Sequence, residues 1–433
     1  MAGFCGGRQF SASKSPTSCS CKPLAVILQT IYTAHQFIFT MKNKKAFFLI
    51  TILSLTLNAL AQDAPSIKME FGKGIQFISA DSSFTMAISG RIQSVFEAKR
   101  DITNENTGAD FLLRRSRLNI QGSAFNPRFS YRIQIGFAHG DITSANSTVQ
   151  NNLILRDAML FYKANNWLRI GFGQTKLPGN RQRQVSSANL QLVERSISNN
   201  NFTLDRDKGV WIYTNFNINK AVLKSTLAIS SGEGRIISDK NGKLCYSARM
   251  EFLPLGEFSK NGDYVEADIE REKKPKLSIA GVYSYNNAAT RTMGQLGDFL
   301  YNLEIANIQY YGVDLIFKYK DFSIESEFYN RNANNGIIIN KKDTTQRNYV
   351  ISGSTFMIQS GYFITKTNEI AIRYAQITPE TKVASIMNAQ KEYVFGFSHY
   401  FNKHSLKLQS DVTYLENGAN NSLIYRLSGV VTF

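Results

Sequence analysis

Between residues 129 and 137 every second side chain is apolar: Phe129, Tyr131, Ile133, Ile135 and Phe137, with Ser130, Arg132, Gln134 and Gly136 between them. A helix repeats its face about every 3.6 residues, so a period of two dictates a strand with one apolar and one polar face. The same alternation recurs in Phe322, Ile324 and Phe328 against Ser323, Glu325, Glu327 and Tyr329. It recurs in Tyr246, Ala248, Met250 and Phe252 against Ser247, Arg249 and Glu251, and in Leu423, Tyr425, Leu427, Gly429, Val431 and Phe433 against Ser422, Arg426 and Ser428. A soluble sandwich also alternates, but many of these segments run to about ten residues, the length a tilted strand needs to cross a bilayer.

About sixteen such segments can be placed, starting near Phe84, Phe111, Arg128, Asn152, Trp167, Lys208, Ala221, Lys243, Lys276, Ile305, Phe322, Asn348, Glu369, Lys391, His404 and Ser422. Their connections alternate. The long ones are 100–110, 139–150, 175–207, 287–304, 332–347 and 378–390, and the short ones include 164–166, 217–220, 320–321 and 402–403. One connection, 254–275, is long and charged where a short turn is due; it is either an extended turn or a sign that the strand count is off by two. In lipid every backbone group must pair internally, so a sheet that spans the membrane must close on itself. The expected fold is all-β, a transmembrane antiparallel β-barrel of about 16 strands over 84–433, wide enough for an aqueous lumen.

Composition supports this. With 43% hydrophobic residues the chain lacks the long apolar runs of a helical membrane bundle, and 30 Phe with 20 Tyr argue against disorder. The basic run Met41-Lys42-Asn43-Lys44-Lys45, an apolar stretch at 46–60 and Ala59-Leu60-Ala61 form a secretory signal peptide at 41–61. Residues 1–40 then read as an extension upstream of the true start, or as a further leader that is removed. Residues 62–83 are expected to be a periplasmic N-terminal segment. The leader holds Arg8, Lys14, Lys22, Lys42, Lys44 and Lys45 and no acid, so the formal charge of +17 falls to +11 without it. Cys5, Cys19 and Cys21 leave with the leader; Cys245 remains, and no internal disulfide can form.

Strand parity puts cations in the lumen. Arg115 and Arg117 share a face with Asn119 and Gln121, and Arg132, Arg249, Arg373 and Arg426 lie opposite apolar rows. Guanidinium stays charged and offers several donors to an oxyanion, so a ring of arginines selects anions. The plainer reading is that each arginine pairs with a luminal acid, as Glu251 beside Arg249, Glu369 beside Arg373 and Asp411 allow. Arg114 falls on the lipid parity. The connection 175–207 carries Lys176, Arg181, Arg183, Glu194, Arg195 and Arg206. A loop of that length usually serves function. It either enters the lumen as a constriction or lies across the mouth.

Six stretches, taken in order, resemble the phosphate-selective porin O and P family. They are Leu113-Arg114-Arg115-Ser116-Arg117-Leu118, Leu155-Arg156-Asp157-Ala158, Gly171-Phe172-Gly173-Gln174-Thr175-Lys176-Leu177-Pro178, Glu194-Arg195-Ser196, Arg206-Asp207-Lys208-Gly209-Val210 and Ala248-Arg249-Met250-Glu251-Phe252-Leu253-Pro254-Leu255-Gly256. Such chains often read Arg-Asp-Ile-Gly where this one has Arg206-Asp207-Lys208-Gly209. The resemblance implies a homotrimer of sixteen-stranded barrels in the bacterial outer membrane, with a constricting third loop and a basic lining. Its expected partners are small anions such as phosphate, outer-membrane lipids, and the barrel assembly machinery, the last through Phe433, which resembles an assembly signal. Two other functions stay open: a general non-selective pore, and a plugged structural or adhesive barrel.

Other classes fit poorly. Beyond the leader the histidines are His139, His399 and His404, with no G-x-S-x-G and no metal-type His pair, so neither enzymatic activity nor a metal or cofactor is expected. Nucleic acid is not expected, because basic and acidic residues are interspersed along the strands.

Overall fold

The computed structural model describes residues 65–139, 154–235 and 243–433. The extension at 1–40, the leader at 41–61 and most of the 139–150 connection lie outside them. The strands, in chain order, are β1 (Ser66–Glu70), β2 (Gly74–Ile78), β3 (Thr85–Asp101), β4 (Thr107–Ala124), β5 (Asn126–Gly136), β6 (Leu155–Lys163), β7 (Leu168–Lys176), β8 (Arg206–Ile218), β9 (Ala221–Ser230) and β10 (Cys245–Leu253). There follow β11 (Lys276–Ala289), β12 (Ala306–Tyr319), β13 (Phe322–Ala333), β14 (Ile337–Ile339), β15 (Arg347–Tyr349), β16 (Gly353–Phe363), β17 (Asn368–Pro379), β18 (Gln390–Asn402), β19 (Leu406–Asn417) and β20 (Asn420–Thr432).

Strands β3–β13 and β16–β20 pair antiparallel with their neighbours in sequence order. The ring closes where β20 pairs with β3, from Ser422↔Asp101 to Thr432↔Arg91. This is a closed barrel of 16 strands, the expected fold. Closure leaves the barrel wall without an edge, which is the condition for a sheet in lipid. The outer face is apolar: Phe172, Met250, Ile372 and Phe395 are each more than half exposed. Near the short turns the aromatics gather, with Phe129 against Tyr162 at 5.0 Å and Trp167 against Phe216 at 5.2 Å, as at a membrane interface.

Short turns are made with left-handed residues. Lys320 and Asp321 both have positive φ (45° and 75°), the mirror-image turn whose twist matches its flanking strands. The strand expected near Asn348 begins at Gly353 instead. Residues Arg347–Tyr349 pair with Ile337–Ile339 as a small hairpin inside the long connection. The segment before the barrel also forms a hairpin. β2 pairs with the base of β3 at Thr85–Ile88, below the point where β20 ends. The charged connection 254–275 is not a miscounted pair of strands; it is an extended turn between β10 and β11, with a short 3-10 segment at Ser259–Tyr264.

Candidate ion pathway

The connection between β7 and β8 does not lie across the mouth. It enters the barrel and carries two short helices, α1 (Arg181–Gln184) and α2 (Ile197–Phe202), the second capped by Ser196 Oγ, which accepts from Asn199 N–H. Its anchors reach the wall opposite β7. Arg181 Nε donates to Asp314 Oδ1 on β12 at 2.7 Å, and Gln191 Nε2 donates to Glu369 Oε1 on β17 at 2.5 Å. Val193 N–H donates to Asp411 on β19 and Ile197 N–H to Glu392 on β18. Apolar packing completes the seat: Leu177, Phe202 and Leu204 bury against Trp211, Tyr310, Tyr329 and Met357. Buried carboxylates that accept backbone N–H groups hold a loop well, because a group left unsatisfied there would cost about 1–3 kcal/mol.

The turn 254–275 rises to meet this loop from the other end of the barrel. Glu266 Oε2 accepts from Gln191 N–H at 2.8 Å and from Gln359 Nε2 at 2.9 Å, and Glu266 N–H donates to Asn189 O. Lys318 Nζ donates to the carbonyls of Gly262 and Ala267, and Arg181 Nη1 to that of Asp263. Loop and turn together fill the short-turn half of the lumen beside β10–β19.

What stays open lies beside β3–β9. A cavity of about 930 Å³ is lined there by Arg117, Arg132, Arg156, Arg169, Lys176, Arg183, Arg195 and Arg206. Asp157 is the one acid among its described lining residues, and Arg206 Nε already holds it at 2.9 Å. Arg169 stacks on Phe161 and Tyr213, its guanidinium carbon 4.7 and 4.6 Å from the two ring centres. Arg117, Arg156, Arg183 and Arg195 also line a narrower cavity of about 110 Å³ with Arg114, Arg115 and Glu194. A third cavity, about 530 Å³, joins Glu194 and Arg195 to Arg373, Glu392, Arg426 and Glu97. The shared residues make these three cavities one path, its narrow part lined by those six arginines of the narrower cavity and by Arg235.

Two bulges shape that narrow part. The pairing of β3 with β4 slips between Gln93 and Ser94, so Arg114 is the extra residue between Leu113 and Arg115. Both arginines therefore reach Glu194, Arg114 Nε at 2.5 Å and Arg115 Nη2 at 2.9 Å. The sequence puts Arg114 on the lipid side; the bulge turns it inward. A second slip, in the pairing of β5 with β6 between Gln134 and Ile135, leaves Arg156 as the extra residue between Leu155 and Asp157, and brings it to the cavities. A bulge re-aims a side chain that simple alternation would send the other way.

Charge is concentrated on the loop. Burial would raise the Glu194 carboxyl, but Arg115 and Arg114 outweigh it and hold it well below the usual carboxylate range. Burial, with Arg115 and Arg117 nearby, pushes the Arg195 guanidinium down to about 9. Arg195 spends its donors on the carbonyls of Gln182 and Val185. Arg183 pairs with Asp205 inside the loop, and burial with Arg206 and Arg195 nearby pushes it down as well.

The residues singled out from the sequence fall into two groups. Arg117, Arg132, Lys176, Arg183, Arg195 and Arg206 line the large cavity. Arg117 donates to Ser187, Lys176 to the carbonyl of Gln184, and Arg132 is exposed to the lumen. Arg181 and Arg249 do not line the path: they are 0% and 2% exposed and share Asp314 in a buried cluster with Glu251. Arg373 pairs with Glu392 on the neighbouring strand rather than with Glu369, and Arg426 with Glu97 and Asp411. Arg115, 4% exposed, is held by Gln93 and Glu194. Sequence reading missed Arg156 and Arg169. The inward parity of Arg169 was there to read; Arg156 was hidden by its bulge.

His399 Nδ1 lies 2.6 Å from Asn368 Oδ1, His404 is buried beside Lys407, and the Cys245 thiol is buried among serine hydroxyls. Among the described residues no group of His, Cys, Asp and Glu is arranged to hold a metal.

The sequence profile of the phosphate-selective porin O and P family matches residues 86–422. An anion-selective porin from Comamonas acidovorans is similar in structure, with a TM-score of 0.52 at 10% identity, over 81% of this chain and 100% of that one. The outer membrane channel DcaP of Acinetobacter baumannii gives 0.50 at 12%, and OmpF of Salmonella typhi in complex with daunomycin 0.50 at 11%, each over 81% of this chain and 98% of the other. At such identities the likeness is one of fold. No curated relative matches the chain.

Proposed function

The chain belongs to the phosphate-selective porin O and P family of outer-membrane porins, and on that premise we propose that it acts as a channel rather than as an enzyme and that its lumen carries small anions, phosphate among them. One observation carries this reading: among its described lining residues the open cavity presents eight Arg and Lys side chains and one carboxylate, which Arg206 already holds. An oxyanion there would meet several N–H donors and a net positive field, while a cation would be repelled. Passage is passive and follows the solute gradient. The reading includes export through the leader at 41–61, insertion aided by Phe433, a periplasmic side for the short turns and residues 62–83, and a homotrimer; fractionation and mass measurement in mild detergent test these.

The deciding experiment is the reversal potential of the full-length barrel in a planar bilayer under a KCl gradient. Chloride should permeate better than potassium, the preference should fade as salt screens the wall, and added phosphate should block chloride current. A cation-selective potential overturns the proposal. The filled half of the lumen also favours a second reading, a plugged structural barrel; a purified, inserted protein that never conducts would establish that one instead.

A further inference from the structure

The two sides of the lumen differ in charge and in access. On the open side Arg132 and Arg169 are exposed to the cavity. On the filled side the inward residues include Glu325, Glu327 and Glu369 against Lys318, Arg331 and Lys407, each 1–2% exposed. With Arg249, Arg373, Glu251, Asp314, Glu392 and Asp411 counted, that wall is close to charge balance, five cations against seven acids among its described buried residues, and its short-turn half is sealed.

The seal at the short-turn end is the connection 254–275, bounded by Pro254 and Pro275. Its seat is built for it. Lys318 gives two bonds to its backbone, at 2.8 and 2.7 Å, and Asp268 Oδ2 accepts from Asp321 N–H at 3.0 Å. Glu266, 2% exposed, bridges the constriction loop at Gln191 and the wall at Gln359. A turn that merely joined two strands would need two residues, as 320–321 does, and would bury no acid.

We propose that the turn 254–275 is a selectivity element of the pore: by occupying the charge-balanced half of the lumen it confines ions to the half lined by arginine and lysine. The inference rests on the anion-pathway reading above. An aqueous conduit selects through the charges it presents, so opening a wall with matched charges widens the path and dilutes its preference. The turn borders the open cavity through Asn261 and Tyr264 and lends it no cation; it acts by closing the alternative route.

The test replaces 259–272 with a short Gly-Ser turn in the full chain. Conductance should rise by about twofold or more, and the chloride-to-potassium permeability ratio should fall toward one. If the intact pore shows no anion preference, the functional reading fails; if the intact pore prefers anions and the replaced pore keeps both its ratio and its conductance, this inference alone fails. A higher conductance at an unchanged ratio also overturns it. A second measurement covers failure of the shortened barrel to assemble. In a Cys245→Ser background, Ser323→Cys, on the filled wall where Gln191 bonds it at 2.9 Å, should resist a charged methanethiosulfonate reagent. Gln134→Cys, on the open cavity, should react quickly. Equal labelling of the two overturns the proposal.

Discussion

The charge state of Glu194 offers the most direct handle on the narrow part of the path. Its carboxylate lies between Arg114 Nε (2.5 Å) and Arg115 Nη2 (2.9 Å), with a side chain 16% exposed. Replacing it by Gln keeps the shape and one acceptor but removes one negative charge from the place where cavities meet. The loop should hold its position, because its ties next to this residue run through the main chain: Val193 N–H to Asp411, and Arg373 to the Glu194 carbonyl. A unit charge about 4 Å away is worth about 1 kcal/mol in water and about 4 kcal/mol in a surface-like medium. In a wet constriction the lower figure applies. Glu194→Gln should therefore strengthen phosphate block by roughly fivefold and raise the chloride-to-potassium ratio, read from block curves and reversal potentials at low salt.

The pH dependence gives a second reading of the same residue. The folded carboxyl is held below its ordinary 4.5, so the ion pair stabilises the protein above that value, and this contribution is lost as pH falls through the depressed folded value. From neutral pH down to about 5 the wild type should keep its permeability ratio, and it should approach the Gln variant only in stronger acid. An unchanged or weaker anion preference in Glu194→Gln, or a wild-type ratio that climbs between neutral pH and about 5, would refute the reasoning.

Arg132→Ala removes an exposed cavity cation and no described ion pair; phosphate block should weaken by roughly fivefold at unchanged heat stability, measured by gel mobility after heating. Arg206→Ala should instead cost about 3–5 kcal/mol, since it strands Asp157 buried and unpaired, and Asp157→Asn in the same chain should restore most of that loss in a urea titration. Arg181→Ala should leave the permeability ratio alone, because Arg249 still holds Asp314 at 2.6 Å; it should loosen the loop by about 1–3 kcal/mol, seen as open-channel noise and faster proteolysis near 181.

The barrel was legible because alternation reports which face a side chain takes, and length reports whether a strand can span. Those two signals gave the strand starts to within a few residues and separated the lipid row of β13 from Glu325 and Glu327. They could not report register between strands distant in sequence. Glu369 was therefore matched to Arg373, whereas the structure gives Arg373 to Glu392 and leaves Glu369 to Tyr400 and Gln191. Nor can alternation see a bulge: Arg114 and Arg156 each follow the wrong parity because one extra residue enters the pairing. The turn 254–275 betrayed itself by length and charge, but its upward course depends on contacts with Gln191 and Gln359, which no local pattern encodes.

A lumen arginine has one of two fates, and its partner decides which. Where a buried carboxylate sits within bonding distance, as for Arg181, Arg249 and Arg373, the pair ties loop or wall together, and removing one member would leave a buried charge unmatched. Where the partner is a carbonyl or an aromatic ring, as for Arg195 and Arg169, the positive charge is not cancelled and acts on whatever enters the cavity. Selectivity and stability should then respond to different substitutions. Arg132→Ala with Arg169→Gln should flatten the anion preference and leave the folded barrel as heat-resistant as before. Asp314→Asn should do the reverse, because Arg181 and Arg249 lose their shared acid while the open cavity beside β3–β9 is untouched. If the cavity pair lowers heat resistance as much as Asp314→Asn does, the division by partner is wrong.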